Sequence, residues 1–256
     1  MIHLLPLPGS PRAATMRAVV ERARSDARAW LRGGADGLLI ENFGDQPFHP
    51  EAVPAATIAA MGRVVGEVAP LAAAAGRALG VNVLRNDAEG AIALAAAHDL
   101  DFVRVNVHAG VSVSDQGLLC GRAHATLRLR AELGARALIL ADLRVKHARP
   151  LVERPRADEA RELAGRAGAD ALLLTGPATG RPPAIDELAE VAAAVPSTPL
   201  LLASGVDPEL MAATRDRVAG WIVGTWAKRG GRVVAPPEPA RIRALARARD
   251  SRRRRG

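Results

Sequence analysis

Residues 34–42 are Gly-Ala-Asp-Gly-Leu-Leu-Ile-Glu-Asn, and residues 168–176 are Gly-Ala-Asp-Ala-Leu-Leu-Leu-Thr-Gly. Each stretch starts with a glycine suited to ending a helix, and its aspartate suits a bend. An apolar run of strand length follows, as expected for a parallel strand that is buried on both faces. A polar residue then ends the run. Both stretches therefore predict the repeating unit of a parallel α/β fold.

The same unit recurs along the chain and gives eight strand–helix pairs. The predicted strands are Ile2–Leu7, Gly37–Glu41, Gly80–Leu84, Phe102–His108, Ala137–Leu143, Ala171–Thr175, Leu200–Ser204 and Trp221–Thr225. The predicted helices are Thr15–Arg32, Pro54–Ala75, Ala88–Ala97, Gly121–Leu133, Ala157–Ala167, Ala184–Ala194, Pro208–Arg215 and Pro237–Ala248. Eight units, without a glycine-rich dinucleotide motif after the first strand, favour a closed (β/α)₈ TIM barrel over an open doubly wound sheet.

Length and charge also favour a single barrel. The chain has 256 residues, 49% of them hydrophobic, and such barrels take roughly 250 residues. We predict a barrel over residues 1–240, followed in residues 241–256 by the end of the last helix and a disordered arginine-rich tail. Most of the net charge of +8 falls in this tail, which has eight arginines and one acid. Specific nucleic-acid binding is not expected, because only 2% of residues are aromatic and could stack on bases.

The sequence predicts a cytoplasmic protein without integral membrane contact. No uninterrupted apolar run approaches the roughly 20 residues of a membrane helix. The start of the chain lacks a signal-peptide pattern. The single cysteine, Cys120, excludes an internal disulfide and fits a reducing compartment.

Polar residues gather at the carboxyl ends of the predicted strands, where these barrels place their chemistry. Side chains alternate across a strand, so Arg104, Asn106 and His108 are expected on one face, pointing into the barrel. His108, nearest the mouth, is predicted to act in function, whereas Arg104 also fits a structural hydrogen-bond network. The predicted substrate contacts on strands two to six are Asn42, Asn82, Arg85, Asn106 and Thr175.

The seventh and eighth strands predict a site for an anion, most naturally a phosphate. Ser204-Gly205 and Gly224-Thr225 end these strands, and Lys228 follows closely. Glycines let backbone N–H groups approach an anion, while the hydroxyls and the ammonium donate further hydrogen bonds. Phosphate sites in these barrels commonly follow strands seven and eight. Glycines that only allow tight turns are the open alternative.

Several long stretches resemble the BtpA/SgcQ family, from Met1 to about Gly231. They include MIHLLPLPGSPR (1–12), GADGLLIENFGDQPF (34–48), FVRVNVHAG (102–110), LADLRVKHA (140–148) and IVGTWAKRGG (222–231). The resemblance implies a (β/α)₈ barrel of ribulose-phosphate-binding character. It also implies two contexts, photosystem I accumulation for cyanobacterial members and sugar utilisation for others. Ala203 stands where a glycine is more usual in the anion site.

The ionisable groups of strands two to five are candidates for catalysis. Glu41 and Asp142 are predicted as bases, and His108 or His147 as proton carriers. Lys146 is predicted either to form a Schiff base or to neutralise an enolate. A divalent metal bound by Glu41, Asp142 and His147 remains an open alternative, and no other cofactor is expected. Glu41 could instead form an ion pair with an arginine.

We therefore predict a small-molecule enzyme that acts on a phosphorylated sugar or related anionic metabolite by isomerase, aldolase or lyase chemistry. The long loop after strand four is expected to cover the site as a lid. The alternative is a non-catalytic assembly or stability factor of the photosystem I type, since fold does not determine function. The oligomeric state stays open, and a homo-oligomer is among the arrangements that the sequence allows.

Overall fold

The computed structural model describes residues 1–176 and 185–251. Eight parallel strands form one curled sheet, the strand core of a (β/α)₈ barrel, which confirms the predicted fold class. Each barrel strand pairs with the next barrel strand along the chain, as continuous strand–helix–strand winding requires. These strands are β1 (Ile2–His3), β2 (Gly37–Glu41), β3 (Ala78–Asn82), β4 (Phe102–Val105), β7 (Leu138–Asp142), β9 (Ala171–Thr175), β10 (Leu200–Ala203) and β11 (Gly220–Ile222).

The helices follow the predicted order and pack outside the sheet. They are α1 (Met16–Gly33), α2 (Ala55–Ala74), α3 (Ala88–His98), α4 (Ala123–Glu132), α5 (Arg156–Ala164), α6 (Ile185–Ala194), α7 (Pro208–Thr214) and α8 (Pro239–Asp250). The Thr15 hydroxyl caps α1 by accepting from the Ala18 N–H, and Gly34 ends the helix with φ at 93°. Ala184, the predicted start of α6, and the tail residues 252–256 lie outside the described residues.

Helix α2 is long and apolar enough to cross a membrane by length and composition alone. Counting uninterrupted apolar residues missed this property, because Arg63 and Glu67 interrupt the run. In the structure Met61, Val64 and Val65 of α2 are fully buried in the core. These contacts are those of a helix in the outer layer of a barrel.

Three barrel strands end three or more residues earlier than predicted. Strand β1 has only two residues before the proline-rich segment that starts at Pro6, because proline cannot donate to a strand ladder. Strand β4 ends at Val105, and β11 ends at Ile222. No ladder joins β11 to β1 in the part of the chain that the structure describes. The Met1 nitrogen instead donates to the Val223 carbonyl at 3.0 Å.

A second, smaller sheet was not predicted. It contains β5 (Val111–Ser114), β6 (Gly117–Cys120) and β8 (Ala148–Pro150), and β5 pairs antiparallel with both of the others. Strands β5 and β6 lie in the loop after β4 that was expected to be a lid, whereas β8 follows β7. Leu119 of β6 is fully buried against Val107 and Val145 and fixes the sheet on the barrel rim. Strands of three or four residues are too short for their period to be distinguished from that of a loop.

Gly44 is predicted to be the position near the site that least tolerates a side chain. A Cβ atom there would lie 2.7 Å from the Leu5 carbonyl carbon and 2.8 Å from the Leu4 oxygen, and backbone atoms cannot rotate away. We expect Gly44→Ala to lower the free energy of unfolding by about 1–3 kcal/mol, as overpacking does. Urea denaturation measures this change.

Gly66→Ala is the matched control. Its Cβ would meet His98 Cε1 at an ordinary 3.6 Å, and alanine favours the helix. This variant should be at least as stable as the parent protein. Equal losses in both variants would contradict the steric argument.

Candidate active site

Buried polar side chains meet inside the barrel at the carboxyl ends of β2, β3, β4 and β7. Glu41 and Asn82 are the last residues of β2 and β3 and lie side by side in the strand register. Arg104 points inward from β4, Asn106 follows that strand, and Asp142 ends β7. All five are at most 3% exposed. The structure therefore brings these predicted residues together, because the carboxyl ends of parallel strands share one rim.

Arg104 and Asp142 form a bidentate ion pair at the centre of this cluster. Arg104 donates through Nε to Asp142 Oδ1 and through Nη2 to Oδ2, both at 2.9 Å. Asn106 Nδ2 adds a third bond to Oδ2 at 3.0 Å. The structure therefore supports the structural alternative for Arg104. Both carboxylate oxygens of Asp142, the predicted base, accept hydrogen bonds in this arrangement.

Glu41 is the carboxylate with an available oxygen. Its Oε2 accepts from Asn82 Nδ2 at 2.8 Å and lies 3.9 Å from Arg104 Nη1. Its Oε1 is buried without a hydrogen bond and lies 3.6 Å from His3 Nε2. Glu41 also lines the main cavity. A buried carboxylate oxygen without a donor has capacity to accept a proton or a substrate hydroxyl.

His3 and Lys228 stand behind Glu41. Lys228 Nζ donates to His3 Nδ1 and to the Val233 carbonyl, both at 2.7 Å. With Nδ1 accepting, neutral His3 carries its proton on Nε2 and points it at Glu41. Burial and the Lys228 charge hold the pKa of His3 well below its usual range, so the ring is neutral. Burial also lowers the pKa of Lys228 to about 8.

Lys228 was predicted to bind the phosphate, and the structure places it elsewhere. It is fully buried and lines neither of the two cavities described below. The chain turns through a 3₁₀ segment at Thr225–Ala227 directly after β11, and Lys228 therefore points behind His3. Its two hydrogen bonds make it a partner of His3.

This contact leads to a prediction on the ionisation of His3. In Lys228→Met we expect the pKa of His3 to rise, because a positive charge and a hydrogen bond to the neutral ring are both removed. Burial still acts on the ring and limits the rise. Ring-nitrogen NMR shifts followed across pH measure the change. The exposed Arg229→Met is the control, and an unchanged His3 titration in Lys228→Met would contradict the assignment.

Two cavities open on the cluster. The larger has a volume of about 800 Å³, and the smaller about 30 Å³. The walls of the larger are mainly apolar, and polar groups converge at its base. Its lining residues are Pro11, Arg12, Glu41, Phe43, Gln46, Pro47, Phe48, Leu84, Arg85, Asn106, Asp115, Gln116, Lys146 and His147.

The smaller cavity lies at the ends of β10 and β11. It is lined by Ser204, Gly205, Gly224 and Thr225, the four residues predicted to hold an anion. Ser204 and Gly205 have positive φ of 68° and 64°, which turns the chain sharply at this point. The Ser204 hydroxyl is buried and has no hydrogen-bond partner. The structure thus brings four of the predicted residues together around a hydroxyl group that has no hydrogen-bond partner.

Lys146 lines both cavities. In the part of the chain that the structure describes, its Nζ has no hydrogen bond, while its backbone carbonyl accepts from Arg85 Nη2 at 2.6 Å. Burial lowers the pKa of the Lys146 amine, and although Glu41 opposes this effect, Arg104 adds to it. The amine is therefore easier to deprotonate than that of a surface lysine.

His108 does not reach the cavity, so its predicted position on the inner face was wrong. Its Nε2 lies 2.9 Å from the Ala167 carbonyl, among buried residues outside the barrel. Because β4 ends at Val105, the alternation that placed His108 beside Arg104 and Asn106 does not extend to it. Burial lowers its pKa.

Asn42 and Thr175 brace the backbone. Asn42 Oδ1 accepts from the Leu84 N–H at 2.7 Å, and its Nδ2 donates to the Leu84 carbonyl and to Asp45. The Thr175 hydroxyl donates to the Arg144 carbonyl at 2.8 Å. These bonds connect the loops that line the site, and neither residue lines the large or the small cavity.

The open metal alternative is not supported by the geometry. His147 lies exposed at the rim of the large cavity, while Asp142 is tied to Arg104 below. In residues 1–176 and 185–251, no three histidine, cysteine, aspartate or glutamate side chains come together as a metal site would require. Glu41, Asp142 and His147 therefore do not form one.

Sequence reasoning missed four residues that line the site. His3 belongs to β1, Arg12 lies in the loop after β1, and Phe43 and Phe48 lie in the loop after β2. His3 could have been found by applying strand alternation to the first strand. The Phe43 ring stacks on His3 with centroids 4.5 Å apart. Two of the three phenylalanines in the chain thus border the large cavity.

Fold and site together define a TIM-barrel protein with a polar, partly buried site at the carboxyl ends of its strands. The chain belongs to the BtpA family, whose model matches residues 1–251. It is 40% identical over 249 residues to the photosystem I biogenesis protein BtpA of Synechocystis, covering 97% of this chain and 86% of that protein. It is 43% identical over 248 residues to a protein of Archaeoglobus fulgidus, covering 97% and 96%.

Solved structures share the fold at low sequence identity. KGPDC from Streptococcus mutans superposes with a TM-score of 0.57 at 12% identity, over 91% of this chain and 92% of that one. Phosphoribosyl anthranilate isomerase from Thermococcus kodakaraensis gives 0.55 at 17%, over 92% and 96%. At these identities the likeness concerns the barrel fold alone.

Proposed function

We propose that the protein is an enzyme that acts on a phosphorylated sugar or a related anionic metabolite by isomerase, aldolase or lyase chemistry. The observation that carries this proposal is the position of Lys146. This residue lines both the small cavity of Ser204, Gly205, Gly224 and Thr225 and the large cavity that Glu41 also lines. An anion in the small cavity would place the rest of the molecule in the large one, beside Glu41, whose Oε1 has no hydrogen-bond donor.

Each group then has a role in this proposal. The small cavity holds the anionic end through hydroxyl and backbone donors. Glu41 is the proton acceptor, since its Oε1 has no hydrogen-bond donor and lies 3.6 Å from His3 Nε2. Arg104 places a positive charge beside both buried carboxylates, Glu41 and Asp142. Phosphoribosyl anthranilate isomerase, which shares the barrel fold, is by its name an isomerase of a phosphoribosyl compound, and this likeness in fold supports the proposal.

A thermal-shift comparison tests the proposal. Ribulose 5-phosphate at about 100 times its dissociation constant should raise the melting temperature by about 5–10 °C in a chain of this size. Dephosphorylated ribulose is the matched control and should give a much smaller shift. Thr225→Val, which removes one hydroxyl from the small cavity, should reduce the response. A normal response to unphosphorylated compounds, with none to any phosphorylated one, would contradict the phosphate site.

A second candidate is a non-catalytic factor in photosystem I assembly. The observation in its favour is the 40% identity to the Synechocystis protein named for that process. The two candidates can be separated by introducing this chain, or its Lys146→Arg variant, into cells of that organism lacking their own BtpA. Restoration of photosystem I by both chains to the same level would favour the assembly role over catalysis by Lys146.

A further inference from the structure

The chain contains only two lysines, Lys146 and Lys228, among 35 lysine and arginine residues. At every other cationic position this protein uses arginine, including the buried Arg104 and the cavity-lining Arg12 and Arg85. Both lysines belong to the same site, one in the cavities and one bonded to His3. In an arginine-rich chain, two lysines at one site indicate that the chemistry there needs an amine.

An amine can do two things that a guanidinium cannot. It fits as a compact donor in a fully buried position, and it can lose its proton near neutral pH. Lys228 uses the first property, since it donates to His3 Nδ1 and to the Val233 carbonyl from a fully buried position. Lys146 has no hydrogen bond at Nζ within the described chain, so the need for a buried donor does not explain it. The ability to lose a proton is the property that remains to explain a lysine at position 146.

We propose that Lys146 is a nucleophile that forms an imine with the carbonyl carbon of a phosphorylated aldehyde or ketone. This inference rests on the proposed function and deepens it. A proton carrier is already present in Glu41, and anion binding alone would be met by arginine, as elsewhere in the cavity. The position of Nζ between the small and the large cavity fits a carbonyl a few bonds away from a phosphate held by Ser204 and Thr225.

The reaction balances without an added oxidant or reductant. The neutral amine attacks the carbonyl carbon, a C–N bond forms, and the carbonyl oxygen takes up a proton to give a carbinolamine. The C–O bond then breaks, and the oxygen leaves as water with the protons that were on nitrogen and oxygen. The resulting imine withdraws electrons from the neighbouring carbon, so that Glu41 can remove a proton there. Water later hydrolyses the imine and restores the amine.

Borohydride trapping tests the proposal. The whole protein is incubated with dihydroxyacetone phosphate or ribulose 5-phosphate, reduced with sodium borohydride, digested and analysed by mass spectrometry. We expect one adduct, on the peptide that contains Lys146, heavier by the probe less one water plus two hydrogens. Unphosphorylated dihydroxyacetone should give at least tenfold less. The other two amines, those of Lys228 and Met1, are buried and hydrogen-bonded, so the peptides that contain them should remain unmodified.

Lys146→Arg is the matched variant. It keeps the positive charge, so it should still show a thermal shift with both phosphorylated probes while giving no adduct. Two outcomes would overturn the imine and leave the proposed function standing: a thermal shift without any adduct in the parent protein, or an equal adduct with unphosphorylated dihydroxyacetone. If neither a thermal shift nor an adduct is found with any phosphorylated carbonyl compound, both proposals fail together.

Discussion

Replacing Arg104 by methionine is expected to lower the free energy of unfolding by about 3–5 kcal/mol, the range for removing one partner of a buried ion pair. Arg104 is 2% exposed and gives Asp142 two hydrogen bonds of 2.9 Å. It also lies 3.9 Å from Glu41. Methionine fills much of the same volume but leaves two buried carboxylates without their nearest cation. Urea denaturation, with the slope checked for two-state behaviour, gives the value.

Arg77→Met is the control for this prediction. Arg77 pairs with Asp36 at 3.3 Å, but both side chains are largely exposed, and such surface pairs contribute little. We expect its stability to stay close to that of the parent protein. Similar small losses in both variants would mean that the buried cluster does not depend on the Arg104 charge.

Replacing Lys146 by methionine is expected to weaken the binding of ribulose 5-phosphate by about 100-fold. A hydrogen bond to a charged group contributes about 1.5–3 kcal/mol, and each 1.4 kcal/mol changes affinity tenfold. Lys146 lines the small cavity, which is enclosed enough for its charge to act with little screening. Isothermal titration calorimetry gives the two dissociation constants.

Lys146→Arg separates the charge from the amine. Since arginine also carries a positive charge, this variant should keep most of the affinity that methionine loses. The exposed Arg229→Met controls for the general effect of removing a cation. Binding that is unchanged in Lys146→Met would exclude Lys146 from the anion site.

The sequence predicted the positions of side chains that lie at the ends of strands. Glu41 was predicted at the end of its strand and Asn82 near the end of the next, and the register places the two side by side. Ser204, Gly205, Gly224 and Thr225 could be grouped for the same reason. Strand ends at one rim of a barrel are fixed by topology, which hydrophobic periodicity reveals.

Where the backbone leaves regular structure, the prediction failed. His108 follows a strand that stops three residues earlier, and so its direction was not set by alternation. Lys228 follows a 3₁₀ turn and contacts His3, which is 225 positions away in the chain. A contact of this kind depends on the path of a short irregular segment, and neither composition nor period specifies that path.

The small sheet on the rim has a mechanical consequence for Lys146. Lys146 lies among the five residues between β7 and β8, and β8 pairs with β5 through residues 112–114. The turn after β5 carries Asp115 and Gln116, which line the large cavity. The pairing of β5 with β8 thus connects the cavity wall at Asp115 and Gln116 to Lys146. Any movement of this hairpin that admits or releases a ligand must therefore displace Lys146 as well.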